Sequence, residues 1–219
     1  IKVAPNDKTW LQKIARTAMS TKLVSNNSEQ LGQIAVEACL QVAEKTIEGY
    51  KVDVDEIKVE KKPGGDLSDT VLYRGLVLDK EVVHSGMSKK VENAKIALIA
   101  SPLEIEKPEF DTKLNISNPE QMKAFLDEEN QMLKGMVDKV KSSGANVVLC
   151  QKGIDDVAQH YLTKFEILSV RRVKESDMDK LAKATGGRIV TSLDDLEVND
   201  LGIAGLVEER PVEEDKWVF

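Results

Sequence analysis

The chain has 219 residues, of which 41% are hydrophobic and 32% charged, and its formal net charge is −7. This composition is typical of a folded globular protein, and the length allows one large domain or one domain with part of another. The basic residues are scattered among acidic ones and the two cysteines are isolated, which argues against nucleic acid, anionic membrane, a zinc site and a disulfide framework.

The sequence contains no apolar run close to the roughly 20 residues that span a bilayer. It also has no N-terminal basic region followed by an apolar signal core. We therefore expect a cytoplasmic protein. The chain begins at Ile1 without a methionine and stops in Trp217-Val218-Phe219, and we expect both ends to be cuts through a longer protein.

Two amphipathic helices are predicted at the start of the chain. Apolar residues between Trp10 and Ala18 recur at helical spacing, and Asp7 stands before them as an N-cap. A second apolar stripe runs from Leu31 to Ile47. Gly49 is a natural C-terminal stop, so the second helix is expected to end there.

Beyond Gly49 the pattern becomes mixed. Residues 51–61 alternate apolar and polar side chains as a half-buried strand does, and a Pro/Gly loop follows them. We place a domain boundary near Ser68. The rest of the chain alternates predicted strands and helices, in the order expected of an α/β layer with helices packed on a sheet.

One predicted helix is longer than an α/β layer needs. It begins at Asn118-Pro119 and ends near Ser142, which makes it roughly 36 Å long. Its second half carries an apolar stripe suited to a sheet. Its first half and the alternating segment before it indicate a protrusion with a sticky apolar tip, formed by Leu114, Ile116, Met122, Phe125 and Leu126. A small local core, in which Phe125 packs on Leu114 and Ile116, is an alternative that is compatible with this interpretation.

The stretch CQKGIDDVAQHYL, from Cys150 to Leu162, collects many reactive groups. It is predicted to pass from a buried strand through a turn at Gly153 into a helix from about Ile154 to Phe165. Helical spacing puts Ile154, Val157, Ala158, Tyr161 and Phe165 on a core face. The polar residues are left facing outward: Asp155, Asp156, Gln159, His160, Thr163 and Lys164.

Asp156 and His160 are four residues apart, so the pair could orient an imidazole as a general base in a small α/β enzyme. Catalysis would also require a nucleophile and an oxyanion donor, and nothing in the sequence places Cys150 near the imidazole. Acids in a first helical turn and a surface histidine explain the same residues. We therefore predict no catalytic residue. His84 and His160 do not have metal-ligand spacing, so we also predict no metal site.

Several long stretches of the sequence resemble archaeal group II chaperonin (thermosome) subunits. They are NAKIALIASPLEIEKPEFDTKLNIS, NPEQMKAFLDEENQML, SGANVVLCQKGIDDVAQHYL, VRRVKESDMDKLAKATGGRIV and DLGIAGLVEER. The resemblance implies a mixed α/β fold: an apical β-sandwich core flanked by helices, with a long helical protrusion as a lid, and a helical and strand segment of an intermediate domain. The implied domains are an intermediate segment at 1–68, an apical domain at 69–209, and a return toward the intermediate domain at 210–219.

The resemblance also implies a molecular chaperone that binds non-native polypeptide and, when intact, forms a double ring with neighbouring subunits. The polypeptide-binding surface would include the polar helix face described above and a neighbouring loop, and the lid would include the protrusion at 104–134. Lys22 aligns with a family lysine that senses the terminal phosphate of a nucleotide, although the family's flanking glycines are missing here. ATP and Mg²⁺ are expected for the intact subunit and no cofactor for this segment, which lacks a phosphate-binding glycine loop. A purely structural ring module is the third hypothesis.

Overall fold

The computed structural model describes residues 3–47, 49–105 and 118–219. The chain forms two compact units that divide between Arg74 and Gly75. We call them the N-terminal unit and the C-terminal unit. The boundary predicted near Ser68 lies a few residues earlier, and the assignment of the units to chaperonin domains stays a prediction.

The N-terminal unit contains two helices and a β-hairpin, which are α1 (Lys8–Met19), α2 (Ser28–Gln41), β1 (Ala43–Thr46) and β2 (Gly49–Val52). The predicted cap of α1 is confirmed, because the Asp7 side chain accepts a hydrogen bond of 3.2 Å from the Trp10 amide.

The second helix is shorter than predicted. It ends at Gln41, and the residues expected to carry it to Gly49 form the hairpin instead, so that prediction was wrong. Thr46 lies in β1 and its β-branched side chain favours extended backbone, whereas Val42 ends the helix with a φ of −96° and a ψ of 5°. Gly49 adopts a φ of 144°, which is open to glycine and strained for other residues. Its role is therefore in the hairpin and not at a helix end.

The strand predicted at 51–61 is also cut short. β2 ends at Val52, and the Asp53 side chain then accepts a hydrogen bond of 3.1 Å from the Asp55 amide. This contact caps a 3₁₀ turn at Val54–Glu56. A local side-chain cap thus ends the strand despite the alternating pattern.

The described part of the C-terminal unit consists of strands and helices that alternate along the chain. They are β3 (Lys90–Ile99), α3 (Pro119–Ser142), β4 (Val147–Cys150), α4 (Asp156–Lys164), β5 (Leu168–Val170), α5 (Glu175–Thr185), β6 (Ile189–Val190), β7 (Gly202–Val212) and β8 (Asp215–Val218). None of the helices in the described ranges is long and apolar enough to cross a membrane.

The six strands of this unit form one sheet centred on β3. Its order is β5-β4-β3-β7-β8, and β6 also pairs with β3. β4 and β6 run parallel to β3, whereas β7 runs antiparallel to it. The end of β7 pairs with β8, so β7 passes from one neighbour to the next and the sheet curls. The predicted mixed α/β class is confirmed.

The core of the C-terminal unit lies around the parallel strands. Leu98, Ile99, Val147 and Val148 have no exposed surface, as expected of strands covered on both faces. Burying one side chain of this kind stabilises the fold by roughly 1.5–3 kcal/mol. The apolar runs that identified these strands in the sequence therefore also contribute to the core that stabilises the unit, together with buried residues of the helices.

The long helix α3 has the predicted limits. The Asn118 side chain accepts a hydrogen bond of 3.1 Å from the Glu120 amide, and Pro119 occupies the first turn, where its missing N–H costs little. Leu133, Val137 and Val140 in the second half are buried. The residues of the first half up to 128 are all exposed.

Candidate functional site

Helix α4 is held at its start by backbone contacts with the segment that follows β3. The Leu103 amide donates to the Gly153 carbonyl at 3.0 Å, and the Asp155 amide donates to the Leu103 carbonyl at 2.9 Å. The Asp155 side chain caps the helix by accepting a hydrogen bond of 2.8 Å from the Val157 amide. The helix therefore begins at Asp156, slightly later than predicted, in a fixed position at the carboxyl end of β4.

The outer face of α4 carries three exposed side chains at a spacing of four residues, Asp156, His160 and Lys164. They form one stripe along the helix, as predicted. Asp155 and Thr163 are half-buried at its edges. The Thr163 hydroxyl donates to the Gln159 carbonyl at 2.7 Å, so its polar group is directed to the helix backbone.

Gln159 does not face outward, and that prediction was wrong. Its side chain is 4% exposed, and Nε2 donates to the Ile154 carbonyl at 2.8 Å and to Asp156 Oδ1 at 3.1 Å. Because both contacts are local, a polar side chain can be buried here without an unsatisfied donor. Leu162 is a fully buried core residue that the prediction missed. Its spacing of four from Ala158 was the available signal.

The residues of the alternative enzyme hypothesis do not form a catalytic arrangement. Asp156 Oδ1 accepts its hydrogen bond from Gln159, while His160 lies edge-on to Tyr161 with ring centroids 6.0 Å apart. Cys150 is buried and its Sγ is 3.4 Å from the Ser101 carbonyl oxygen. Burial raises the pKa of this thiol to about 11, so it is protonated and weakly nucleophilic at neutral pH. No group of acidic, histidine or cysteine side chains suited to a metal ion occurs among the described residues.

The predicted apolar tip is exposed where the structure describes it. Met122, Phe125 and Leu126 are 46%, 39% and 50% exposed. Leu114 and Ile116 lie outside the described residues, so the packing of Phe125 on them stays a prediction.

Lys22 lies in the turn between α1 and α2 and is exposed. Its amide donates to the Met19 carbonyl, and its carbonyl accepts from the Ser25 amide, both at 3.0 Å. These amides are already used within the turn, so they are not available as a cradle for a phosphate. The residues around Lys22 do not fit a nucleotide site by themselves, and its nucleotide-sensing role stays a prediction.

An ion pair joins Arg188, which precedes β6, to Asp200, which precedes β7. Arg188 Nε lies 2.6 Å from Asp200 Oδ1, and the Glu197 amide donates to Asp200 Oδ2 at 3.0 Å. The hydrogen bond from Arg188, followed by that from the Glu197 amide, lowers the pKa of Asp200. Asp200 is thus paired with the Arg188 guanidinium and with the Glu197 amide, and no ligand is needed to explain its position.

One cluster beside α4 was missed by the sequence reasoning. Lys152, Arg171 and Arg172 are all exposed, and a backbone hydrogen bond joins Lys152 to Arg172. In the sequence, Arg171-Arg172 stood out only as one of several scattered basic doublets. The parallel pairing of β4 with β5 brings these residues together, and it cannot be read from residue spacing alone.

Comparison with known proteins identifies the class to which this fold and these surfaces belong. The chain belongs to the TCP-1/cpn60 chaperonin family, whose model it matches over residues 1–219. The resemblance to chaperonins found in the sequence is therefore confirmed.

The most informative relatives are archaeal. The chain is 55% identical to "Thermosome subunit beta" of Sulfolobus acidocaldarius, a match that covers 100% of this chain and 39% of that protein. It is 57% identical to "Thermosome subunit" of Pyrococcus abyssi, with 99% and 40% covered. The open-state monomer of a group II chaperonin from Methanococcoides burtonii has a TM-score of 0.79 at 41% identity, over 100% of this chain and 48% of that one. The chain thus spans about 40% of the length of these curated relatives.

Proposed function

We propose that this chain is the client-binding and lid-forming part of an ATP-dependent group II chaperonin, and that the whole protein is a molecular chaperone. The single observation that carries the proposal is the division of α3 into a buried half and an exposed apolar half. Membership of the chaperonin family over residues 1–219 supports it.

The buried half of α3 serves as an anchor. Leu133, Val137 and Val140 are at most 2% exposed, so the second half of the helix is fixed in the core. The exposed half presents Met122, Phe125 and Leu126. Flexible methionine and large apolar side chains adapt to many partner surfaces, which suits a non-native polypeptide that has no fixed shape.

The outer face of α4 supplies the polar part of the client-binding surface in this proposal. Asp156, His160 and Lys164 are available to a client directly. Asp155 and Thr163 border the stripe, and Gln159 acts through the backbone position that it fixes and not through contact. This surface can donate and accept hydrogen bonds to exposed peptide groups of a client.

The proposal also assigns a domain role to each part of the chain and places nucleotide binding outside this segment. Residues 1–68 are an intermediate-domain segment, 69–209 an apical domain, and 210–219 the start of a return toward the intermediate domain. ATP and Mg²⁺ act elsewhere in the longer protein, and this segment is not itself an enzyme. Neighbouring subunits of a double ring are its partners, and the cytoplasm is its location.

The competing enzyme hypothesis receives no support from the geometry. His160 lacks a carboxylate partner within the described ranges, and the Cys150 thiol is buried with a raised pKa. The structural-module hypothesis differs from ours in one respect, since it expects no binding of clients.

The test is suppression of aggregation of a chemically denatured client by the 219-residue chain. The substitutions Met122→Ser, Phe125→Ser and Leu126→Ser, made together, are expected to abolish most of the suppression, because they remove the exposed apolar surface of α3. The matched control replaces Val198, Ile203 and Leu206 by Ser, which are 63%, 74% and 40% exposed elsewhere in the unit. Light scattering measures the outcome. Absence of suppression by the parent, or an equal loss in the control, contradicts the proposal.

A further inference from the structure

Three exposed basic residues lie where the chain leaves the carboxyl ends of β4 and β5. Lys152 follows β4, and Arg171 and Arg172 follow β5. The two strands are parallel neighbours, with Leu149 opposite Val170. The chain segments after them therefore leave the sheet at the same edge. The Arg172 amide donates to the Lys152 carbonyl at 3.0 Å, which fixes the two backbones side by side. We call Lys152, Arg171 and Arg172 the basic patch.

The charges of the basic patch are not neutralised within the described part of the chain. All three residues are exposed, and none of them forms an ion pair with a described carboxylate. Of the acids near the patch, Asp155 caps α4 and Asp156 accepts from Gln159. The carboxylate of Glu104 lies against Gly153, beside Lys152, and is the acid that a client would have to compete with. In a chain with a net charge of −7, a local group of free positive charges is a distinct feature.

Arg172 occupies its position at a conformational cost. Its φ is 56°, in the left-handed region, where glycine or asparagine would be less strained. The Arg172 amide and the Val173 amide, which donates to the Cys150 carbonyl at 3.0 Å, hold the backbone in this form. Strained residues of this kind concentrate at functional sites. Asn93, Glu166 and Glu213 also have positive φ, so strain alone assigns no role to Arg172, and its exposed charge carries the inference.

We propose that the basic patch binds acidic segments of non-native polypeptides. This inference rests on the proposed function, and it adds a class of client sequence to the surface beside α4. Extended polypeptide segments rich in Asp and Glu complement the three free charges, and arginine also pairs with a carboxylate through two parallel hydrogen bonds. Lys152 precedes α4 by four residues, and its backbone is hydrogen-bonded to that of Arg172, so one client can contact both the patch and the helix start.

A polypeptide fits this patch better than a nucleic acid does. The patch has three charges and no aromatic side chain on which bases would stack, and the chain as a whole is acidic. A short run of carboxylates needs only the local charges, whereas a long phosphate backbone would also meet the surrounding negative surface.

The experiment measures binding of a fluorescent decapeptide that alternates Glu and Gly to the 219-residue chain, by anisotropy at low salt. A Gln-Gly peptide of the same length is the neutral probe. The Glu peptide is expected to bind more tightly than the Gln peptide and to weaken as salt is added. The double variant Lys152→Ala/Arg171→Ala should weaken it about fivefold, the loss expected for two exposed ion pairs.

Two further variants separate binding from folding. Arg172→Gly removes a charge and relieves the left-handed strain, so it should weaken the Glu peptide while raising the thermal unfolding midpoint. Lys90→Ala/Lys216→Ala is the control that removes two exposed lysines elsewhere in the unit, and it should leave binding unchanged.

Two results would show that the basic patch does not bind acidic segments selectively. Equal affinity for the Glu and Gln peptides, or an equal loss in the lysine control, contradicts the inference. Tighter binding of a ten-nucleotide single strand with the same dependence on the patch identifies a nucleic-acid site instead. Suppression of aggregation is measured in parallel. If suppression holds and the Glu peptide does not bind, this inference alone fails, whereas loss of suppression in the parent defeats the proposed function.

Discussion

Gln159 shows how one buried polar residue can organise the helix that it belongs to. Its amide group spans from the Ile154 carbonyl, which precedes the helix, to the carboxylate of Asp156 in the first turn. Position on the helix, and not polarity, decides that this side chain is buried. The exposed stripe of Asp156, His160 and Lys164 is therefore presented by a helix start that Gln159 fixes from within.

Gln159→Ala is expected to lower the free energy of unfolding by roughly 1–2 kcal/mol, because the Ile154 carbonyl and Asp156 lose a buried donor. Urea denaturation followed by circular dichroism measures the change. His160→Ala, at an exposed position on the same helix, is the control and should stay within about 0.5 kcal/mol of the parent. An unchanged midpoint for Gln159→Ala would show that its side chain does not support the helix.

Helix α3 combines a stabilising half with an exposed half. Leu133 is 2% exposed and packs in the core, whereas Leu126, two turns earlier, is 50% exposed. The same residue type therefore has different roles on one helix. The free-energy cost of truncating each leucine should show where the anchored part begins.

Leu133→Ala should destabilise the C-terminal unit by about 2–5 kcal/mol, the range for cavities left by buried leucines. Leu126→Ala should change the free energy of unfolding by less than about 0.5 kcal/mol, because it exposes no core surface. Both are measured by urea denaturation under the same conditions. Similar losses for the two variants would mean that the first half of α3 is packed in the folded chain, which would contradict its proposed role as a free apolar surface.

Local signals in the sequence determined how well each element could be predicted. The Asn118-Pro119 start of α3 is a side-chain cap within one turn, and the structure confirms it. The end of α2 was missed because Val42 and Ile47 continue the helical spacing of its apolar stripe, although residues 43–46 between them form β1.

The polar stripe on α4 was predicted in part for a similar reason. Spacing correctly placed His160 and Lys164 outside, but it gave no information on the local hydrogen bonds that bury Gln159. The basic patch depends on strand pairing between residues far apart in the chain, which no short pattern records.

The two units differ in how much of each is buried. In the described part of the N-terminal unit, the buried residues are Gly32, Val36 and Ala38. The C-terminal unit contains an extended core around β3 and β4. Family membership applies to both, since the chaperonin match covers residues 1–219, but the stabilisation from buried apolar surface is concentrated in one.

This contrast predicts unequal protection from hydrogen exchange within the same 219-residue chain. Amides of α1 and α2 should exchange at least about tenfold faster, after correction for intrinsic rates, than amides in β3 and β4. The reason is that a unit with few buried apolar contacts opens at a lower free-energy cost than the core strands do. Exchange followed by mass spectrometry of peptic fragments measures both units in one sample.

The exposed hairpin β1–β2 serves as an internal reference, because a two-stranded sheet is marginally stable by itself and should exchange fastest. Equal protection across the helices of the N-terminal unit and the core strands would contradict the prediction, and it would mean that stability is shared across the boundary between Arg74 and Gly75.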